Sequence, residues 1–180
     1  MGMDVYGKNP KQNKPMSDFP VYYKYRQMEE QDTVENESID GFKQKWKELD
    51  ADHILREQYF KESSEYERAN VGHYFRNNCW WWRPLWNYCY AIADDIIPEA
   101  VWDNGHSNSG AGLNAEDAER LGKRLLNHID TGECIKYQAE YQQHLDDLPD
   151  DDFDKHYPFD IDNVREFAEF CIQSGGFEIN

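Results

Sequence analysis

The sequence predicts a mainly α protein of the α+β class: a single helical domain with a small terminal strand pair and an inserted helical arm. Three observations predict it. Apolar residues recur at helical spacing, as in Leu121, Leu125 and Ile129. Short β-prone stretches, MDVYG and FEIN, stand near the two ends of the chain. Between residues 27 and 69 the composition shifts to 13 acids against 6 bases with sparse apolar residues. The core domain is therefore expected over 1–26 and 70–180, with 27–69 as an acidic arm. A length of 180 residues suits one domain with a large insertion, and 15% aromatic content supplies a core that a disordered chain of this charge lacks.

The elements follow in order. MDVYG (3–7) alternates and ends in glycine, a short strand before a turn at Lys8-Asn9-Pro10. Residues 11–20 are loop, and VYYKY (21–25) reads as a second short strand. Phe42, Trp46, Leu49, His53 and Ile54 recur at helical spacing, giving helices near 39–50 and 52–67 with Ser38 as a cap. Lys45, Leu49, Glu57 and Lys61 fill their solvated flanks.

NNCWWWRPLWNYCY, from Asn77, holds four of the six tryptophans within seven residues. Proline pushes the residue before it towards extended backbone and itself suits a first helical turn. Cys79–Arg83 is therefore expected to be extended, and Pro84 to about Ala93 helical. Trp81 then faces away from Trp80 and Trp82, while Leu85, Tyr88 and Cys89 share one helix face and Trp86 and Tyr90 another. Two tryptophan-bearing faces are costly to bury in a small domain, and each indole N–H needs a partner. One face is core and the other is the best candidate site.

Asn104–Gly112 is a Gly/Ser/Asn-rich loop. Asn114 with Asp117 resembles a helix cap, Ala118, Leu121, Leu125 and Ile129 form an apolar stripe, and Gly132 ends the helix. A helix over 134–147 carries Tyr137, Tyr141 and Leu145. LDDLPDDDFDKHYPFD is an acidic loop. Asp160 or Asp162 caps a last helix, Val164–Ile172, closed by Gly175-Gly176, and FEIN can pair with MDVYG.

A net charge of −17 excludes a nucleic-acid binder, which needs a basic footprint, and docking on anionic membranes. It suits plain solubility, or attraction to a basic protein surface. No apolar run approaches a membrane span and no secretion signal opens the chain, so a cytoplasmic location is expected, the host's if phage-encoded. Myristoylation is set aside because the sixth residue is Tyr6. The four cysteines fit no zinc knuckle or CxxC pair and read as free, mostly buried thiols.

Asp150, Asp152 and Asp154 have the opening spacing of a calcium loop. Lys155 stands where that loop requires glycine, and Ile161 where it requires glutamate, so it is rejected. GHSNSGAGLN precedes a helix but lacks phosphate-loop spacing. His73 and His106 flank the aromatic segment. With Arg76, Arg83 and Asn108 they form candidate polar lining for an aromatic site built on Trp81, Trp82, Trp86 and Tyr90; the ordinary explanation for each histidine is local backbone capping. No carboxylate or histidine lies three or four residues after either histidine, and Ser107 and Ser109 lie in no nucleophile elbow. No cofactor and no metal is expected.

The opening MGMDVYGKNP, then YFRNNCWWWRPLWNYC, GHSNSGAGLNAEDA and YPFDIDNVREFAEFCIQSGGFEI, together resemble a family of small uncharacterised proteins from phages and bacteria. The match covers residues 1–10, about 72–148 and 157–179, with several motifs in fixed order. Relatives tend to pass quickly from the opening strand to the YFR motif, where this chain has residues 11–70. They often carry a CxxC knuckle where this chain has DDDFDKH, so zinc is in doubt here. The resemblance implies a phage or mobile-element origin and no activity.

The favoured reading is a non-enzymatic acidic protein that blocks a basic, nucleic-acid-binding surface of a host protein or defence complex. The first alternative is a small-molecule protein that sequesters a nucleotide-like ligand in the Trp/Arg pocket. The second is a hydrolase-type enzyme at the same groove with His106 or His73 as general base, which no paired acid, nucleophile or metal supports. A contact with a second copy of the chain is the competing explanation for the aromatic segment.

Overall fold

The two β-prone ends of the chain meet, as expected from sequence, and they form the middle of a larger sheet. In the computed structural model, which describes residues 2–35 and 39–180, the elements in chain order are β1 (Gly2–Gly7), α1 (Pro20–Glu35), α2 (Asp40–Ala51), α3 (His53–Ala69), β2 (Tyr74–Asn78), α4 (Cys79–Ala93), α5 (Glu99–Asn104), β3 (Ala111–Leu113), α6 (Ala115–Asp130), α7 (Glu133–Asp147), α8 (Ile161–Gln173) and β4 (Phe177–Ile179). Short 3-10 turns lie at Met16–Asp18 and Phe153–His156. The protein is mainly α with a small antiparallel sheet.

The sheet order is β2-β1-β4-β3, with every pairing antiparallel. Val5 faces Phe75 on one side and Ile179 on the other, and Leu113 faces Phe177. Alternation turns Met3, Val5, Phe75, Phe177 and Ile179 into the core. Two of the strands were not foreseen. YFRNN is too polar to read as a strand alone, and Ala111 and Gly112 of AGL fall in the stretch expected to be loop. Gly112 allows AGL to pair, because a Cβ there would stand 1.8 Å from the Phe177 carbonyl oxygen.

By contact the chain divides into two units, Met1–Lys11 with Val71–Asn180, and Gln12–Asn70. In the first, the inner face of the sheet packs with α4, α6 and α8. Asn114 accepts from the Asp117 amide and starts α6, whose Ala118, Leu121 and Leu125 are buried. Gly132 has a φ of 79°, the left-handed geometry that separates α6 from α7. Asp160 caps α8 through the Asn163 amide. All four cysteines are free thiols, and Cys89, Cys134 and Cys171 are buried.

The second unit holds α1, α2 and α3 around Phe19, Tyr22, Tyr25, Leu49, Tyr59 and Tyr66. Here VYYKY is helix, not strand. Pro20 suits a first helical position, and the Glu62 carboxylate of α3 accepts from the Val21 and Tyr22 amides at 2.7 and 2.9 Å. That distant cap satisfies amides a local propensity estimate leaves open. Lys45 and Leu49, expected on a solvated flank, are buried. The Lys45 ammonium is held by Glu29 at 2.8 Å and donates to the Tyr59 hydroxyl at 2.7 Å, which makes its burial tolerable. Asp52 caps α3, its carboxylate accepting from the Ile54 and Leu55 amides. Ser38, expected to cap α2, lies outside the described residues.

α4 begins five residues earlier than the proline suggests. The Asn78 side chain accepts from the Trp80 and Trp81 amides at 3.0 and 3.1 Å, setting the helix start at Cys79. Pro84 then sits inside the helix and removes one backbone hydrogen bond, a cost of about 3 kcal/mol. Burial of Trp82, Leu85, Trp86, Tyr88 and Cys89 on one side outweighs it. No helix among the described residues is long and apolar enough to cross a membrane.

Candidate functional site

The early start of α4 sets the phase of its tryptophans. Trp82 and Trp86 fall one turn apart on the inner face and stack at 5.4 Å with their planes 14° apart. Both are fully buried, with Trp82 Nε1 donating to the Gly105 carbonyl at 2.8 Å and Trp86 Nε1 to the Trp102 carbonyl at 2.9 Å. They are core, and they line nothing a ligand can reach. Trp86 was expected on a face apart from Leu85 and Cys89, but the buried side of α4 is wide enough to take all three.

The outer side of α4 carries Arg83 and Asn87, both exposed, with Trp80, Trp81 and Tyr90 half-buried. Arg83 donates to the Tyr157 hydroxyl at 2.6 Å, and its guanidinium lies 5.5 Å from that ring's centre. Tyr157 in turn packs on Trp80 at 5.1 Å, and Trp80 on Phe153 at 5.0 Å and His156 at 5.9 Å. Past Asn87, Tyr90 stacks on Trp102 at 4.7 Å, and Trp102 meets His106 edge-on at 5.3 Å. Trp102 Nε1 donates to Asn87 at 3.3 Å, tying the two ends of this ridge together.

Two open depressions flank the ridge. One, of about 220 Å³, is lined by Arg83, Asn87, Tyr141, His144, Asp154 and Tyr157 among others. The other, of about 460 Å³, is lined by Trp80, Trp81, Phe153, His156 and Pro158. The aromatic groove adjoins the acidic run Asp150–Asp154. Asp152 caps the 3-10 turn by accepting from the Asp154 amide, and Lys155 is folded onto Asp150 at 3.0 Å. That turn is what raises Phe153 into solvent, where it is 59% exposed.

Of the residues singled out in sequence, Trp81, Arg83, Tyr90 and His106 belong to this surface. Trp82 and Trp86 do not. His73 precedes β2 and so lies roughly 20 Å from the start of α4 at strand rise. Arg76 pairs with Asp4 on β1 at 3.6 Å, and Asn108 donates to the Gly2 carbonyl at 3.2 Å, so both attend the sheet near Gly2. Trp80, Trp102, Phe153, His156 and Tyr157 were missed. The signal was the aromatic spacing of FDKHY inside a loop read only for its acids.

The electrostatics give little to catalysis. Burial pushes the His106 imidazole below its ordinary value, with the Arg83 charge adding to the effect and Asp103 opposing it. Burial alone lowers His73. Burial first, then neighbouring groups, pushes the Tyr141 phenol up to about 12, and it donates to the Tyr157 carbonyl at 2.9 Å. Ser107 and Ser109 hydroxyls both donate to the Asn104 carbonyl, at 3.1 and 2.9 Å, so no histidine activates them. Among the described residues no group of three or more His, Cys, Asp or Glu side chains is arranged to hold a metal ion.

Comparison with protein-family models, with curated proteins and with solved structures yields no match to this chain. The function is therefore read from the ridge and its neighbours.

Proposed function

We propose that this chain is a non-enzymatic acidic binding protein that covers a basic surface of another protein, using the outer side of α4 and the Phe153–His156 turn. The observation that carries the reading is the exposed aromatic groove of Trp80, Trp81 and Phe153 set directly beside Asp150–Asp154. Aromatic anchors surrounded by charge of one sign are what a protein interface of this kind needs: the rings supply contact energy and the carboxylates steer approach. With a net charge of −17, the partner is basic. The phage or mobile-element origin implied by the motif resemblance makes that partner a nucleic-acid-binding surface of a host enzyme or defence complex, met in the host cytoplasm.

The sequestering reading loses its walls. It needs Trp82 and Trp86 around a ligand, and both rings are buried against Phe167 and each other. What is left near Arg83 is an open and polar depression rather than a closed aromatic pocket. The hydrolase reading lacks a nucleophile paired with a base.

The test is affinity capture from a bacterial lysate with the wild-type chain and the Trp81→Ala/Phe153→Ala variant side by side. A basic protein held by the wild type, lost with the variant and released as salt rises supports the reading. Capture indifferent to both the variant and salt contradicts it.

A further inference from the structure

Resting on that reading, we propose that the Trp80–Trp81–Phe153 groove takes a single cationic side chain of the partner, an arginine ahead of a lysine. Elsewhere several rings of the chain, buried (Tyr25, Tyr59 and Tyr157) or reached by solvent (Trp46 and Phe60), carry one of its own cations. Lys24 lies 4.5 Å from the Tyr25 ring centre, Lys45 4.9 Å from Trp46, Arg56 5.9 Å from Phe60 and Arg83 5.5 Å from Tyr157. Among the described residues no lysine or arginine lies over Trp80, Trp81 or Phe153. The nearest cations in sequence are engaged elsewhere, Lys155 on Asp150 and Arg83 on Tyr157.

The walls suit such a guest. Trp80 and Phe153 are inclined at 52° and Trp80 and His156 at 74°, so a planar group lying flat on one ring meets another near its edge. A guanidinium is planar, weakly hydrated and stacks on indoles, whereas an ammonium is a strongly hydrated point charge. The acids of the adjoining turn supply the field that draws a cation in and accept its N–H groups at the rim. Among the described residues the Trp80 and Trp81 indole N–H groups have no protein acceptor, in contrast to those of Trp82 and Trp86. They remain open to carbonyls of a partner's backbone. A phosphate or nucleic acid would face the repulsion of the same carboxylates.

The experiment is a titration of the full-length, 15N-labelled chain at low salt with a capped tetra-arginine peptide. A tetra-citrulline peptide of the same shape without the charge, and a tetra-lysine peptide, serve as comparisons. Indole signals are assigned with Trp80→Phe and Trp81→Phe. The expected result is saturable shifts of the Trp80 and Trp81 indole signals with arginine, smaller ones with lysine and none with citrulline. Trp82 and Trp86 should be unmoved and thereby report an intact fold. Trp81→Ala and, separately, Phe153→Ala should each weaken arginine-peptide binding by about tenfold. No shift with arginine, equal shifts with citrulline, or binding unaffected by both variants overturns the inference; equal binding of lysine overturns the preference for arginine. A basic partner lost from Trp81→Ala and Phe153→Ala, with neither indole signal shifted by the arginine peptide, would leave the proposed function standing and sink this inference. Peptide seating at the groove with no basic partner captured would do the reverse.

Discussion

Trp82 and Trp86 differ from Trp80 and Trp81 in nothing that composition reveals: the same residue type, on the same helix, within seven positions. The first pair is fully buried, stacked, and donates each indole N–H to a backbone carbonyl. The second pair is half-buried, packs on side chains of a turn far away in sequence, and leaves its N–H groups to solvent. A buried indole must bring a fixed acceptor with it, and the fold supplies two here, from Gly105 and Trp102. An indole meant for a partner needs none. What the N–H groups bond to separates core from candidate site better than the rings themselves do.

The largest expected effect tests the inner pair. Trp86→Ala removes a fully buried ring and one of the two donors to the Trp102 carbonyl, the other being the Gly105 amide, so unfolding free energy from urea denaturation should fall by about 3–5 kcal/mol. A loss under about 1 kcal/mol would mean the inner stack is not core at all. Next comes the floor beneath that stack. A Cβ at Gly105 would stand 2.5 Å from Trp86 Nε1, so Gly105→Ala should cost about 1–3 kcal/mol by overpacking. The outer pair should respond differently: Phe153→Ala should change stability by about 1 kcal/mol or less, because its ring is already largely in water. A loss matching that of Trp86→Ala would erase the distinction.

The smallest effect is linked to pH. His106 has its imidazole lowered by burial and by Arg83, so the unfolded chain binds the proton more tightly than the folded one. Stability from this group is therefore present above the ordinary histidine value of 6.5 and is lost as pH falls through the depressed folded value. Melting temperature should drop on acidification from about pH 7.5 to about pH 5, and His106→Gln should flatten part of that slope. His73, lowered by burial, contributes with the same sign. An unchanged slope in His106→Gln would remove the linkage.

Local chemistry made part of this legible in the sequence. The Asn114 cap, the α6 stripe, the stop at Gly132 and the pairing of the two end strands all act within a few residues or through simple alternation. What was not legible depended on distant partners. VYYKY is helical because Glu62, about forty positions on, caps it. Lys45 is buried because Glu29 and Tyr59 receive it. In the candidate site, Asn78 starts α4 five residues before the proline, which puts Trp82 one turn before Trp86, and the buried side of the helix is wide enough to hold Leu85, Trp86 and Cys89 together. Phe153 and Tyr157 were hidden among aspartates, and only the 3-10 turn shows that they rise to meet Trp80.

The claim that α4 folds with one side and binds with the other is tested most directly by one paired measurement on a captured partner. Its affinity and the melting temperature should be measured together for wild type and for Trp81→Ala. The expected result is binding weakened by about tenfold or more with the melt nearly unmoved. Unchanged binding, or a loss of binding that only follows a collapse of the melt, would contradict it.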